Sequence, residues 1–286
     1  MRFAREARIA ASIRHPNVVD VYDASREGEH PYLVMELLEG ETLGAPLRRA
    51  RLDWDALMVL LLPTLEGVAA LHRSGVVHRD LKPDSVFIER TPGGALAKVL
   101  DFGVATLHAP EADDESLTRE GGIVGTPGYM PLEQLRGARN QDARTDVCAL
   151  GVIAYEALTG ARPFRAANAA AHAALIASSA PRDLGELLPS LRGARARAVI
   201  GALAREPSDR HAILEAFAQA LRMARARRVP QLRVVAVLLA LGGLPASQPP
   251  CDARSAAGGV RCEKHAERCE SFVELQQQAH LLDSSA

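Results

Sequence analysis

Apolar residues return at helical spacing at the start of the chain, at Phe3, Ala7, Ala10 and Ile13. The pattern stops at His15-Pro16, where the proline disfavours helix for the residue before it. A helix over Arg2 to Arg14 with one apolar face is predicted. The next two apolar runs, VVDVYDAS (Val18 to Ser25) and HPYLVMELLEG (His30 to Gly40), are rich in β-formers and flank the polar turn REGE, which reads as a hairpin. From Trp54 to Ser74 the chain is almost continuously apolar, with Leu57, Leu61, Val68 and Leu71 on one face. That length calls for a buried helix, and Pro63 should kink it. SVFIER and AKVLDF, separated by TPGG, predict a second hairpin. Arg144 to Thr159 reads as an apolar helix that starts near Asp146 and closes at Gly160, with Pro163 beyond. Three Ala-rich helical stretches follow, around Ala169 to Ser178, Ala194 to Arg205 and Ala212 to Ala226.

A chain of 286 residues with 48% hydrophobic content can bury a large core without disulfide or metal staples. Lys plus Arg at 34 against Asp plus Glu at 35 leaves no strong net field, which argues against nucleic acid as a non-specific partner. Met1 to Arg14 is charged throughout and lacks the apolar core of an export signal, so the body of the protein is expected in the cytoplasm. Residues 229–286 form a tail of different character. The basic run RMARARR leads into it, and the apolar stretch Val234 to Ala246 is shorter than the roughly 20 residues of a usual membrane span. Two readings stay open: a single-pass anchor with the body held inside by its basic flank, or a packed or interfacial helix. Cys148 sits in an apolar helical run and reads as a core residue. Cys251, Cys262 and Cys269 admit a disulfide, free thiols, or a metal site with His265.

The chemistry concentrates at HRDLKPDS, His78 to Ser85. A carboxylate, Asp80, stands two residues before a cation, Lys82, on a loop stiffened by Pro83. That pairing suits accepting a hydroxyl proton beside a developing phosphoryl charge. Some twenty residues on, LAKVLDFGVA (Leu96 to Ala105) reads as an apolar strand delivering Asp101 into a glycine turn, as a metal-holding carboxylate requires.

HRDLKP, then DFG, then GTPGYM (Gly125 to Met130) and DVCALG (Asp146 to Gly151), in that order, resemble the eukaryotic-type (Hanks-type) protein kinase family, with the nearest likeness to bacterial serine/threonine kinases. The likeness runs from about Arg2 to Arg225. It implies an α+β, protein-kinase-like fold with an incomplete N-lobe, a helix plus a hairpin, over residues 1–40 and a mostly α-helical C-lobe over residues 41–228. It also implies ATP and Mg as cofactors and a protein Ser/Thr side chain as substrate. By the same likeness Asp80 is the catalytic base, Lys82 meets the phosphoryl oxygens, and Asp101 and Ser85 hold magnesium. Met35 guards the back of the adenine pocket, and the backbone of Glu36 and Leu38 bonds the adenine edge. His108 to Gly122, polar and acidic, becomes the activation segment, with Thr118 as the phosphate acceptor and Arg79 as the cation that receives it. Lys82 and Thr126 match the Ser/Thr branch. Asp146 is expected to position the catalytic-loop backbone, and Glu133 to pair with Arg210.

Several departures open a second reading. The Gly-rich loop and the strand lysine that grips the nucleotide phosphates belong upstream of Glu6 and are missing. The only lysines are Lys82, Lys98 and Lys264, none at a substituting position. Ser85 replaces the family's asparagine, and Pro131-Leu132-Glu133 replaces Ala-Pro-Glu, which should loosen the local turn. A lone hairpin with open edges is marginal, so three readings stay open: an N-terminally truncated chain whose true start lies upstream, a partner polypeptide covering that edge, or a degenerate remnant. The alternative to an enzyme is therefore a pseudokinase or kinase fragment acting as a binding or regulatory module.

Overall fold

The computed structural model describes residues 12–27, 30–100, 126–138 and 141–224. Residues 2–11 of the predicted first helix with Glu6, the segment carrying Asp101 and Thr118, and the tail with Val234 to Ala246, Cys251, Cys262 and Cys269 lie outside these residues; at the end of that helix Ser12 is helical, and Ile13 and Arg14 are not.

The described strands form two small antiparallel sheets. Strands β1 (Val21–Glu27) and β2 (His30–Met35) form the predicted hairpin, in register from Asp23 opposite Val34 to Glu27 opposite His30, with a one-residue shift between Asp23 and the Val21–Met35 pair. The apolar run His30 to Gly40 does not stay one strand. It leaves β2 after Met35, and Gly40 opens β3 (Gly40–Thr42) in the other sheet, against β4 (Val86–Thr91). The hairpin pairing carries on one residue further, with the Glu36 N–H donating to Asp20 O at 2.9 Å, and ends there. Gly40 then packs so close to β4 that a Cβ there would run into the Ile88 carbonyl. β4 pairs with β5 (Gly94–Val99) as the second predicted hairpin, closed by Pro92-Gly93. Val18 bridges Val99 in parallel, with Val19 N donating to Val99 O at 3.0 Å and Val99 N to Asn17 O at 2.9 Å. These bonds tie the start of the upper hairpin to the end of β5.

Helix α1 (Gly44–Arg49) leads to the long α2 (Trp54–Arg73), which Asp53 caps by accepting from Ala56 N at 2.8 Å. The helix runs unbroken through Pro63, where a kink is predicted. Its composition alone would let it cross a membrane, but 72% of its apolar window is buried inside the protein, so it is a core helix. Leu57, Leu60, Leu65, Val68 and Leu71 of α2 pack with Val147, Leu150, Ile153 and Leu158 of α4 (Arg144–Thr159) and with Leu214, Phe217 and Leu221 of α8 (Leu214–Ala224). Between them lie α3 (Leu132–Leu135), α5 (Ala169–Ser178), α6 (Leu184–Leu187) and α7 (Ala194–Ala202). Gly160 ends α4 in the left-handed region at φ 76°, its N–H donating to Glu156 O, a conformation only glycine adopts without strain. Cys148 lies within this helix as a buried free thiol, and burial pushes its pKa up to about 11. The result is an α+β fold, with α1 and α2 set between β3 and β4 and the other helices after β5, as the resemblance implies.

Candidate active site

The stretch between α2 and β4 holds its shape through bonds to itself and to α4. Leu81 is buried in the core, which turns its neighbours Asp80 and Lys82 outward on either side. Lys82 Nζ lies 2.9 Å from Asp80 Oδ2, with both side chains partly exposed. Pro83 starts a single 3-10 turn, Pro83–Ser85, closed by Ser85 N donating to Lys82 O at 2.9 Å. Ser85 is fully buried and its hydroxyl donates to Asp80 O at 3.1 Å. The Asp80 backbone is therefore fixed from below, while its carboxylate Oδ1 accepts from Thr126 N at 3.3 Å. Thr126 thus meets Asp80 through its backbone.

Asp146, in the first turn of α4, has no exposure and serves as the anchor of this loop. Its Oδ2 accepts from His78 N at 2.8 Å and lies 2.7 Å from His72 Nε2, and its Oδ1 accepts from Arg79 N at 2.9 Å. Arg79 has φ 65°, the single non-glycine residue at positive φ among the described residues. Such a backbone costs on the order of 1–3 kcal/mol and persists only where neighbours over-determine it. Here they do, since Asp146 takes the Arg79 N–H and Gln134 Nε2 donates to Arg79 O at 2.6 Å. The Arg79 side chain projects outward and makes no hydrogen bond or ion pair among the described residues. His78 Nε2 donates to Leu100 O at 2.9 Å, which joins the loop to the residue after β5.

An Asp146→Asn exchange tests this anchor. Whichever way the amide is turned, one backbone N–H, of His78 or of Arg79, faces another donor. Urea unfolding should show a loss of about 1–3 kcal/mol, the cost of a buried unsatisfied donor. An unchanged midpoint would mean the loop holds itself.

Glu133 and Arg210, far apart in sequence, meet as a bidentate pair at 2.6 and 2.9 Å, with the Arg210 side chain 1% exposed. Arg210 also donates to Ala204 O, Arg144 O and Arg205 O, so its guanidinium is almost fully used. The turn at Pro131-Leu132 is closed, with Gln134 N and Leu135 N both donating to Pro131 O at 3.1 Å. Tyr129 donates to Glu156 Oε2 at 2.7 Å beneath the Arg162 guanidinium, and burial together with this bond raises its phenol pKa.

On the opposite side, Met35 ends β2 and is partly exposed, Glu36 follows, and Leu38 packs against the core. Sequence reasoning passed over Lys98 as a functional residue. It lies on β5 with its Nζ 2.6 Å from Glu36 Oε1 and 3.7 Å from Glu89 Oε2. Glu89 could have been found from the strand period, because it is the diagonal neighbour of Lys98 on one face of the β4–β5 hairpin. Glu36 could not, since it comes from the chain between two sheets.

A family model, "Protein kinase domain", matches residues 1–219. Serine/threonine-protein kinase Pkn1 of Myxococcus xanthus is 40% identical over 251 residues, covering 85% of this chain and 34% of that protein. Serine/threonine-protein kinase PknL of Mycobacterium tuberculosis (strain CDC 1551 / Oshkosh) is 37% identical over 254 residues, 82% of this chain and 57% of the relative. The chain thus spans between about a third and somewhat over half of these relatives. Among solved structures, the Mycobacterium tuberculosis PknI kinase domain superposes with a TM-score of 0.59 at 23% identity, over 78% of this chain and 77% of that one. Rad53 1–466 in complex with AMP-PNP gives 0.60 at 23% identity, over 76% and 53%. These two likenesses bear on the fold, and the sequence relatives bear on the family. A carboxylate and a lysine presented by a loop hung from a buried aspartate, in a chain matched over residues 1–219, place this protein in the protein kinase family, on its bacterial serine/threonine (Hanks-type) branch.

Proposed function

We propose that the chain transfers the γ-phosphoryl group of ATP to Ser or Thr hydroxyls of a protein substrate. The Asp80–Lys82 pair carries this reading. Asp80, held by its neighbours rather than by the substrate, accepts the hydroxyl proton as the oxygen attacks phosphorus. Lys82, 2.9 Å away, stands beside the phosphoryl oxygens as charge shifts to the leaving ADP. The protein's contribution is position and field, so a preorganised loop matters more than any covalent step. Magnesium bound with the nucleotide would neutralise phosphate charge. Asp101 and Ser85 are the residues that would hold it, and the Ser85 hydroxyl, which spends its proton on Asp80 O, offers only oxygen lone pairs to a cation. The adenine is read by backbone. Because the Glu36 N–H is committed to Asp20 O, Glu36 contributes its carbonyl, and Leu38 supplies the next contact.

Arg79 is the receiver of a phosphate on Thr118 in this reading, with its guanidinium projecting from a backbone fixed at both ends. We place the catalytic body on the cytoplasmic side, with residues 234–246 as the candidate anchor, and a polypeptide partner along the edges of the β1–β2 hairpin, which pair with no further strand among the described residues. The exposed Tyr22, Tyr32 and Val34 on that hairpin favour such a cover.

A pseudokinase is the second reading, favoured by serine at position 85, where the second metal ligand is expected to be an amide. The two separate in one experiment: the purified chain, magnesium, labelled ATP and a generic Ser/Thr protein. Label recovered as phosphoserine or phosphothreonine supports transfer. Absence of label together with a thermal shift on adding ATP supports the pseudokinase, and absence of both overturns nucleotide use altogether.

A further inference from the structure

Lys98 is a buried cation far from the Asp80–Lys82 pair in role, and its burial asks for a reason. A desolvated ammonium is costly unless paired, and replacing such a pair by apolar side chains is often neutral or stabilising. Its side chain is 11% exposed and its partner Glu36 17%, so the pair is held largely out of water. Glu36 Oε1 receives two donors at once, Lys98 Nζ at 2.6 Å and Asp20 N at 2.8 Å, while the Glu36 N–H returns a bond to Asp20 O. Asp20 belongs to the short segment bridged to Val99, the residue next to Lys98. Both restraints on Glu36 therefore lead back to the end of β5. In the connection from β2 to β3, Glu36 carries the tie to β5. Leu37 is 86% exposed and gives no anchor, Leu38 packs against the core, and Glu39 O accepts from Arg90 N of β4 at 2.7 Å.

We propose that Lys98 is a positioning residue for adenine recognition: through its ion pair with the Glu36 side chain it fixes the backbone of residues 36–38 relative to β5. The role rests on the nucleotide-binding reading above and adds a determinant to it. It is distinct from gripping phosphate, because Nζ is spent on Glu36 and Glu89. The two roles separate by ligand. Adenosine has the base but no phosphates, so a positioning lysine affects adenosine and ATP alike, whereas a phosphate-gripping lysine affects ATP alone.

The test is calorimetric titration of the full chain with adenosine and, separately, with ATP and magnesium. Lys98→Met should weaken both by a similar factor of about tenfold, the scale of one charge-assisted hydrogen bond. Lys98→Arg should recover most of the loss, and adding Lys98→Met to Glu36→Gln should change little beyond Glu36→Gln alone. If Lys98→Met does not fold, Glu36→Gln, which keeps the shape and removes the charge, must itself weaken adenosine binding. A wild-type chain that binds both ligands and a Lys98→Met chain that binds them equally well overturn the positioning role alone. A loss confined to ATP overturns it in favour of phosphate gripping. A wild-type chain that binds neither ligand overturns the nucleotide reading and this role with it.

Discussion

Asp80→Asn is expected to lower phosphoryl transfer by about 100- to 10,000-fold, the span of a positioned general base, while leaving ATP affinity unchanged. The side chain keeps its size, and an amide oxygen can still accept from Thr126 N as Oδ1 does at 3.3 Å. What is lost is a proton acceptor and the negative partner of Lys82 Nζ at 2.9 Å. The loop should stay in place, because its anchors are elsewhere: Leu81 in the core, Ser85 on Asp80 O, and Asp146 on the backbone of His78 and Arg79. The measurement is kcat from label transfer beside Kd from titration. A fall in kcat with Kd constant assigns Asp80 to the chemical step. A mutant that transfers at the wild-type rate shows that the hydroxyl loses its proton without Asp80, and a mutant with weakened Kd shows that the Asp80–Lys82 pair shapes the nucleotide site.

The catalytic loop was readable because its parts lie within eight consecutive residues, and spacing inside a short loop nearly determines which side chains meet. Asp80 and Lys82 are two apart, Pro83 sets the turn, and Leu81 between them supplies the anchor. The long helix over Trp54–Arg73 and the hairpin closed by Pro92-Gly93 were readable for a similar reason, since periodicity and turn residues are local signals. The unity of His30 to Gly40 was not. Composition favours one strand there, and what divides it is tertiary: the chain pairs with β1 as far as Glu36 and with β4 from Gly40 on, where Gly40 comes close to the Ile88 carbonyl. Composition also places Trp54–Arg73 within the range of a membrane span, and only its burial against α4 and α8 decides against it. Lys98 escaped for the same reason as the strand break. A lysine in an apolar strand signals that a carboxylate must be near, but the partner comes from a connection whose path the sequence does not reveal.

Removing the guanidinium at Arg210 is expected to have the largest effect on stability. Arg210→Met should cost about 3–5 kcal/mol, because it strands the Glu133 carboxylate in a partly buried site without its counter-charge. The loss extends past the ion pair, since the carbonyls of Ala204, Arg144 and Arg205 also give up a donor. For a domain of this size each kcal/mol lowers Tm by roughly 2–4 °C, so a drop on the order of 10 °C is expected in a thermal melt. Adding Glu133→Leu to Arg210→Met should recover part of it, because the stranded charge is then gone, and the two changes will be far from additive. The consequence reaches the site through a short path. Glu133 and Gln134 are neighbours on α3, and Gln134 Nε2 donates to the carbonyl of Arg79, whose left-handed backbone needs that support. Loosening α3 therefore removes one of the two restraints on Arg79, the residue before the proposed base. Transfer measured well below the new Tm should fall as well, and Arg210→Lys, which keeps the charge but not the fork, should rescue it only in part. A melt within about 1 kcal/mol of wild type would place this pair among the ion pairs that contribute little, and the support of the catalytic loop would then have to come from Asp146 alone.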